Sequence, residues 1–252
     1  MKTIKLLVAV ILMAVAIPTT QAQTADEILA NYFENTGGEE AWKAVKGIKM
    51  VGKVKFQGLE IPVTQIQMTD GRSYGVADFQ GQKFYNGVFD GETLWNTNQM
   101  SMKAEKSDTE TVENRKLDSN DFPDQFLNYK EKGYTLELLG KETVEGTETF
   151  KLKLTKEPIK VDGQEVPNIV FVYFDIDNFV PIVEEQEITS GPAKGTMAST
   201  KYSDYTEYNG LYFPASIVSG IKGQPGGQEV IIDSIELNPT VTDEMFAFPT
   251  QE

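Results

Sequence analysis

The apolar positions of this chain change rhythm three times. Leu6 to Ile17 is an unbroken apolar run behind Lys2 and Lys5, and Pro18 ends it. The run is too short to span a bilayer and has the layout of an export signal. Residues 1–22 therefore read as a signal peptide cleaved after Ala22, which places the chain in the periplasm. Thr24-Ala25-Asp26-Glu27 has capping-box spacing, and Ile28, Leu29, Tyr32 and Phe33 fall on one helical face. Thr36-Gly37-Gly38 stops this helix. A short second helix turns Trp42 and Val45 inward before Gly47.

From residue 48 the period is two. Ile48, Met50, Gly52, Val54 and Phe56 alternate with Lys49, Lys53 and Lys55, which predicts a half-buried strand. Further strands are predicted over 61–69, 72–79, 82–89 and 93–98, with Asp70-Gly71 as the strongest hairpin signal. The alternation stops near residue 99. Residues 107–129 are polar at first and apolar at their end, where Phe122-Pro123 interrupts a helical pattern. They read as a lid resting on an apolar surface. Strands resume over 134–142, 148–155, 168–175, 181–189, 196–207, 211–219 and 228–237. This pattern predicts a mainly β fold with few helices: a curved antiparallel sheet forming a half-barrel closed by helical lid segments. It is read as one domain over 23–252, with 107–129 as the lid.

Composition then removes chemistry. The chain has no histidine and no cysteine. The commonest general base, the commonest zinc ligands, the thiol nucleophile and any disulfide are all missing. No metal, cofactor or enzymatic activity is expected. A formal net charge of −15 argues against nucleic-acid partners and against casual self-association, so a monomer is expected. Asp175-x-Asp177-Asn178 resembles the opening of a calcium loop. Val180 and Gln186 stand where such a loop needs glycine and glutamate, so it reads as a turn. Glu184, Glu185 and Glu187 share one strand, Glu185 and Glu187 on the same face.

What remains is apolar. Met50, Val54, Phe56, Tyr74, Phe84 and Leu94 from the strands, with Phe122, Phe126 and Leu127 from the lid, are the candidate lipid contacts. A hollow lined this way holds a tail by about 0.8 kcal/mol per buried methylene, with no polar contact needed. Phe126→Asp is expected to fold and to lose lipid.

Arg72 followed by Phe89-Asp90-Gly91-Glu92-Thr93-Leu94-Trp95-Asn96-Thr97-Asn98 resembles the LolA-like family of periplasmic lipoprotein carriers, with Glu92 where that motif has lysine. Tyr173-Phe174-Asp175 before Pro181-Ile182, Tyr205-x-x-Tyr208-Asn209-Gly210-Leu211-x-Phe213-Pro214 and Asp243-Glu244-Met245-Phe246 are similar to its Bacteroidetes-type members. The resemblance implies a non-enzymatic carrier of lipoprotein acyl chains, or of another lipid, in outer-membrane lipoprotein sorting. Membrane-bound donor and acceptor proteins would be its partners. It also implies that Arg72 bonds to the lid and holds the empty form shut. Two other readings stand beside it: an exported structural or protein-interaction module with a filled core, and an atypical carboxylate hydrolase with two acids in a cleft.

Overall fold

The period-two segments pair into one sheet. The computed structural model describes residues 23–56 and 58–249; the signal region 1–22 lies outside them. Its strands are β1 Gly47–Phe56, β2 Leu59–Met68, β3 Ser73–Phe79, β4 Gln82–Tyr85, β5 Val88–Phe89, β6 Leu94–Thr97 and β7 Ala104–Lys106, then β8 Thr135–Val144, β9 Thr147–Val161, β10 Gln164–Asp175, β11 Pro181–Glu187, β12 Met197–Tyr208, β13 Leu211–Ile221 and β14 Gln228–Leu237. The sheet order is β7-β6-β5-β3-β2-β1-β14-β13-β12-β11-β10-β9-β8, with β4 attached to β3. Pairing of β1 with β14 joins the first meander to the last. β7 and β8 stay as unjoined ends, so the sheet curves into an open half-barrel.

Helices occupy part of its inner face. Helix α1 (Ala25–Asn35) starts at the expected box: Glu27 N–H donates to Thr24 Oγ1 (3.2 Å) and Thr24 N–H to Glu27 Oε2 (2.8 Å). It lays Ile28, Leu29, Tyr32 and Phe33 against Leu152, Leu154, Val172 and Phe174 of the sheet. Helix α2 (Glu39–Lys43) sets Trp42 beside Phe213, ring centres 5.0 Å apart.

The lid is built as its composition dictates. Helix α3 (Thr109–Asp118) buries no residue, and a short 3-10 turn, Ser119–Asp121, continues it. With no apolar face to bury, α3 is held by polar bonds to the β9–β10 hairpin. Glu110 accepts from the backbone N–H groups of Asp162 (2.9 Å) and Gly163 (2.7 Å), and Asn114 exchanges two bonds with Lys160. The apolar end of the lid then drops into the core: Phe126 and Leu127 are buried against α1.

Three boundaries differ from the pattern. The strand expected over 82–89 is two, β4 and β5, split at Asn86-Gly87, where Asn86 N–H donates to Gly75 O and Gly87 N–H to the Asn96 side chain. The meander runs one strand further than the alternation shows, because three-residue β7 is too short to display a period. β9 and β10 extend to a tight Asp162-Gly163 turn, past Pro158 and Pro167, which blur the alternation; the register slips beside Pro167.

Candidate functional site

The inner face has a filled half and an uncovered half. At the filled half, α1, Phe126 and Leu127 complete the core. Beyond them the inward residues lose their cover. Val54 pairs with Ile61 and with Val230, Val63 with Ala77, Ala77 with Phe84, and Val230 with Ile217. Cross-strand partners share a face, so these seven form one contiguous apolar surface, and every one of them is only partly buried.

A cavity of about 370 Å³ lies beside the lid; none of those seven residues lines it, and Met50, on the same strand as Val54, does. Met50 and Ile48 lie at its floor, and Phe126, Trp42 and Phe213 contribute apolar walls. Its remaining wall is polar. Tyr32 Oη donates to Asp124 Oδ2 (2.8 Å), and Phe126 N–H to Asp124 Oδ1 (2.7 Å). The Gln125 amide donates to Glu184 Oε1 (2.6 Å) and Tyr202 Oη to Glu184 Oε2 (2.9 Å). Tyr205 Oη donates to Pro181 O (2.7 Å). Burial pushes the Asp124 carboxyl up and raises Glu184 to about 7, against bonds from Tyr202 and Gln125 that favour the charged form. The same burial, with Asp124 and Glu184 nearby, holds the Tyr32 and Tyr205 hydroxyls well above their ordinary value.

A backbone kink assembles this wall. Tyr202 and Tyr205 are three apart and would face opposite ways on a regular strand. Between them Asp204 takes a φ of +57°, a conformation aspartate tolerates better than most residues. From there the β12–β13 hairpin leaves β14, whose pairing with β13 ends at Ser216 and Ile231. The hairpin tip turns back over the inner face, with Tyr208 Oη on Ile232 O at 3.4 Å. Both tyrosines thereby line one cavity.

The predicted residues are distributed unevenly. Met50 and Phe126 line the cavity. Val54 and Phe84 belong to the uncovered surface. Leu94 lies under α3 beside Val112, and Phe122 lines a small cleft of about 80 Å³ with Arg115 and Gly71. Leu127 is core, as is Phe126 on its far side, with ring centres 6.1 Å from Tyr32 and 5.4 Å from Phe174. Phe126→Asp would therefore strike the fold itself, which corrects the expectation of a folded, lipid-free variant. The Phe56 side chain lies outside the described residues. Tyr74 is on the opposite face, paired with Ile66, in an outer groove of about 650 Å³ with Tyr85, Trp95 and Phe248.

Arg72 is also placed differently. Its guanidinium binds Asp70 (2.8 Å) and Asp243 (2.7 Å) and lies 4.9 Å from the centre of the Phe246 ring. It pins the C-terminal turn to the outer face. The described bonds of its side chain include none to the lid. The lid meets this hairpin one residue earlier, at Gly71, where a Cβ would stand 3.2 Å from Ser119 Oγ.

The acids divide by strand alternation. Glu185 faces outward, buried between Tyr173 Oη (3.0 Å) and Lys222 Nζ (2.8 Å), while Glu184 faces the cavity with Asp124. The cavity is thus lined by three carboxyls, Asp121, Asp124 and Glu184, none of which a sequence reading selected as a site. An acid–base pair needs its two pKa values pushed apart, and here burial moves those of Asp124 and Glu184 the same way. Asp175 caps the turn at 177 and 178 by accepting their N–H groups (2.9 and 2.7 Å). Among the described residues no cluster of three or more metal-ligating side chains occurs, and no helix is long and apolar enough to cross a membrane.

An open antiparallel half-barrel with a helix on its inner face and a helical lid is the LolA-like architecture. This chain has that fold. It is similar to a LolA superfamily protein from Nitrosomonas europaea (15% identity, 90% of this chain and 98% of that one, TM-score 0.53). It is similar to a putative outer membrane lipoprotein-sorting protein domain from Vibrio parahaemolyticus (12% identity, 87% and 94% covered, TM-score 0.51). A DUF1329 family protein from Desulfovibrio piger also matches (12% identity, 87% and 97% covered, TM-score 0.52). No family model and no curated protein sequence matches the chain.

Proposed function

We propose that residues 23–252 form a single-domain, monomeric, non-enzymatic periplasmic carrier that binds an acyl tail of a lipoprotein or another lipid. Cleavage after Ala22 releases it, and membrane-bound donor and acceptor proteins load and unload it. The observation that carries this reading is the uncovered inner surface formed by Val54, Ile61, Val63, Ala77, Phe84, Ile217 and Val230, adjoining the cavity at Met50. Contiguous apolar surface left exposed marks a binding site more often than an accident. Ten methylenes buried there contribute about 8 kcal/mol, a micromolar affinity before the costs of association are subtracted.

The filled half of the inner face favours the protein-interaction reading, and the uncovered half favours the carrier. Organic extraction of protein purified from a periplasmic fraction separates them. The carrier reading expects one amphiphile per chain by mass spectrometry, lost in Val63→Asp and Phe84→Glu. Both positions are part-exposed, so these variants are expected to fold. Extracts equally empty from the wild type and both variants would overturn it.

A further inference from the structure

Aromatic rings and three carboxyls, Asp121, Asp124 and Glu184, meet in the cavity. Tyr32, Trp42, Tyr202 and Tyr205 line it together with Asp124 and Glu184. Asp124 and Glu184 each accept two hydrogen bonds, all from neutral donors: Tyr32 Oη and the Phe126 N–H for Asp124, the Gln125 amide and Tyr202 Oη for Glu184. Neither Asp124 nor Glu184 carries an ion pair among the described residues. Two lysines approach the cavity without reaching these two carboxyls: Lys156 Nζ binds the third carboxyl, Asp121, at 2.7 Å, and Lys132 Nζ binds the Asp124 backbone oxygen at 3.0 Å. Ring faces attract cations, and a carboxylate without a cationic partner completes such a cage. The volume, about 370 Å³, is at the small end of ligand sites and suits a headgroup better than a tail.

We infer that this cavity binds an organic ammonium group, so that the carried amphiphile is one with a cationic amine head beside Asp124 and Glu184 and its tail on the uncovered inner surface. The placement of the tail rests on the carrier reading above; the ammonium site does not. Cation binding strengthens as the facing acids ionise. Glu184 is raised to about 7 by burial, with Asp124 opposing its charge and Lys156 favouring it, so binding rises with pH through neutrality. Tyr32, Tyr202 and Tyr205 remain protonated across that range, since all three are raised.

The test uses the full mature chain and four probes below their micellar concentrations: dodecyltrimethylammonium, dodecyl sulfate, dodecyl maltoside and tail-less butyltrimethylammonium. Calorimetry reads binding, and tryptophan fluorescence in a Trp95→Phe background, which leaves Trp42 as the reporter, places it at the cavity. Dodecyltrimethylammonium is expected to bind at least tenfold more tightly than the sulfate and the maltoside at pH 8, and to lose about tenfold at pH 5.5. Glu184→Gln and Asp124→Asn, which keep the shape and remove the charge, are expected to abolish that preference. Surface variant Glu92→Gln controls for general negative charge and is expected to change nothing. Equal affinity for the three headgroups, or a preference surviving both cavity variants, overturns the ammonium site and leaves the carrier. Binding of butyltrimethylammonium without any dodecyl probe supports the site and overturns the carrier. Silence from all four overturns both.

Discussion

Phe126, Arg72 and Glu184 each do something their surroundings decide. Phe126 touches Tyr32 and Phe174 and is 2% exposed, so Phe126→Ala should cost about 3–5 kcal/mol in denaturant unfolding. A cost below about 1 kcal/mol would mean the ring rests on an unfilled hollow. Glu184 carries a sign that pH exposes. Its folded value of about 7 stands above the ordinary 4.5, so between those values the folded chain holds the extra proton. Stability from this group is therefore lost as pH rises from about 5 to 8, by about 1–3 kcal/mol. Glu184→Gln should remove that slope in melts at matched pH. Parallel wild-type and variant curves would show that Glu184 is solvated.

Helix α3 and the C-terminal turn are held in different ways. Helix α3 has no buried side chain and depends on Glu110 and Asn114. Glu110→Ala should speed amide exchange across 109–118 while shifting global stability by about 1 kcal/mol or less. Arg72→Gln should loosen 243–246, near Trp95, whose indole N–H donates to Phe246 O at 3.2 Å, and leave the lid's exchange unchanged. Faster exchange in 109–121 of Arg72→Gln would restore a lid-locking role. The sequence made α1, its cap, the broken lid and most strands legible, because each is a local pattern of period, cap or turn. It could not show that Tyr202 and Tyr205 share a cavity. That depends on one residue, Asp204, adopting a positive φ that folds a hairpin inward. Tyr74 was misplaced for a related reason: period two tells which residues share a face, never which face is the inner one.

The molecule as a whole is a bowl half filled by its own helices. Its remaining apolar inner surface is only partly covered among the described residues, and a carrier explains why that surface is kept. A filled core alone would not require Val54, Val63 and Phe84 to stay part-exposed on one side of the sheet. The outer face tells the opposite story, since there the chain's own C-terminal turn buries Phe246 and ties it to Arg72 and the Trp95 indole. Photo-crosslinking with a diazirine-bearing acyl probe, mapped by peptide mass spectrometry, locates the tail. Adducts concentrated on Val54, Ile61, Val63, Phe84 and Ile217 are the predicted result. Adducts confined to the outer groove around Tyr85 and Phe248, or spread evenly over both faces, would contradict it.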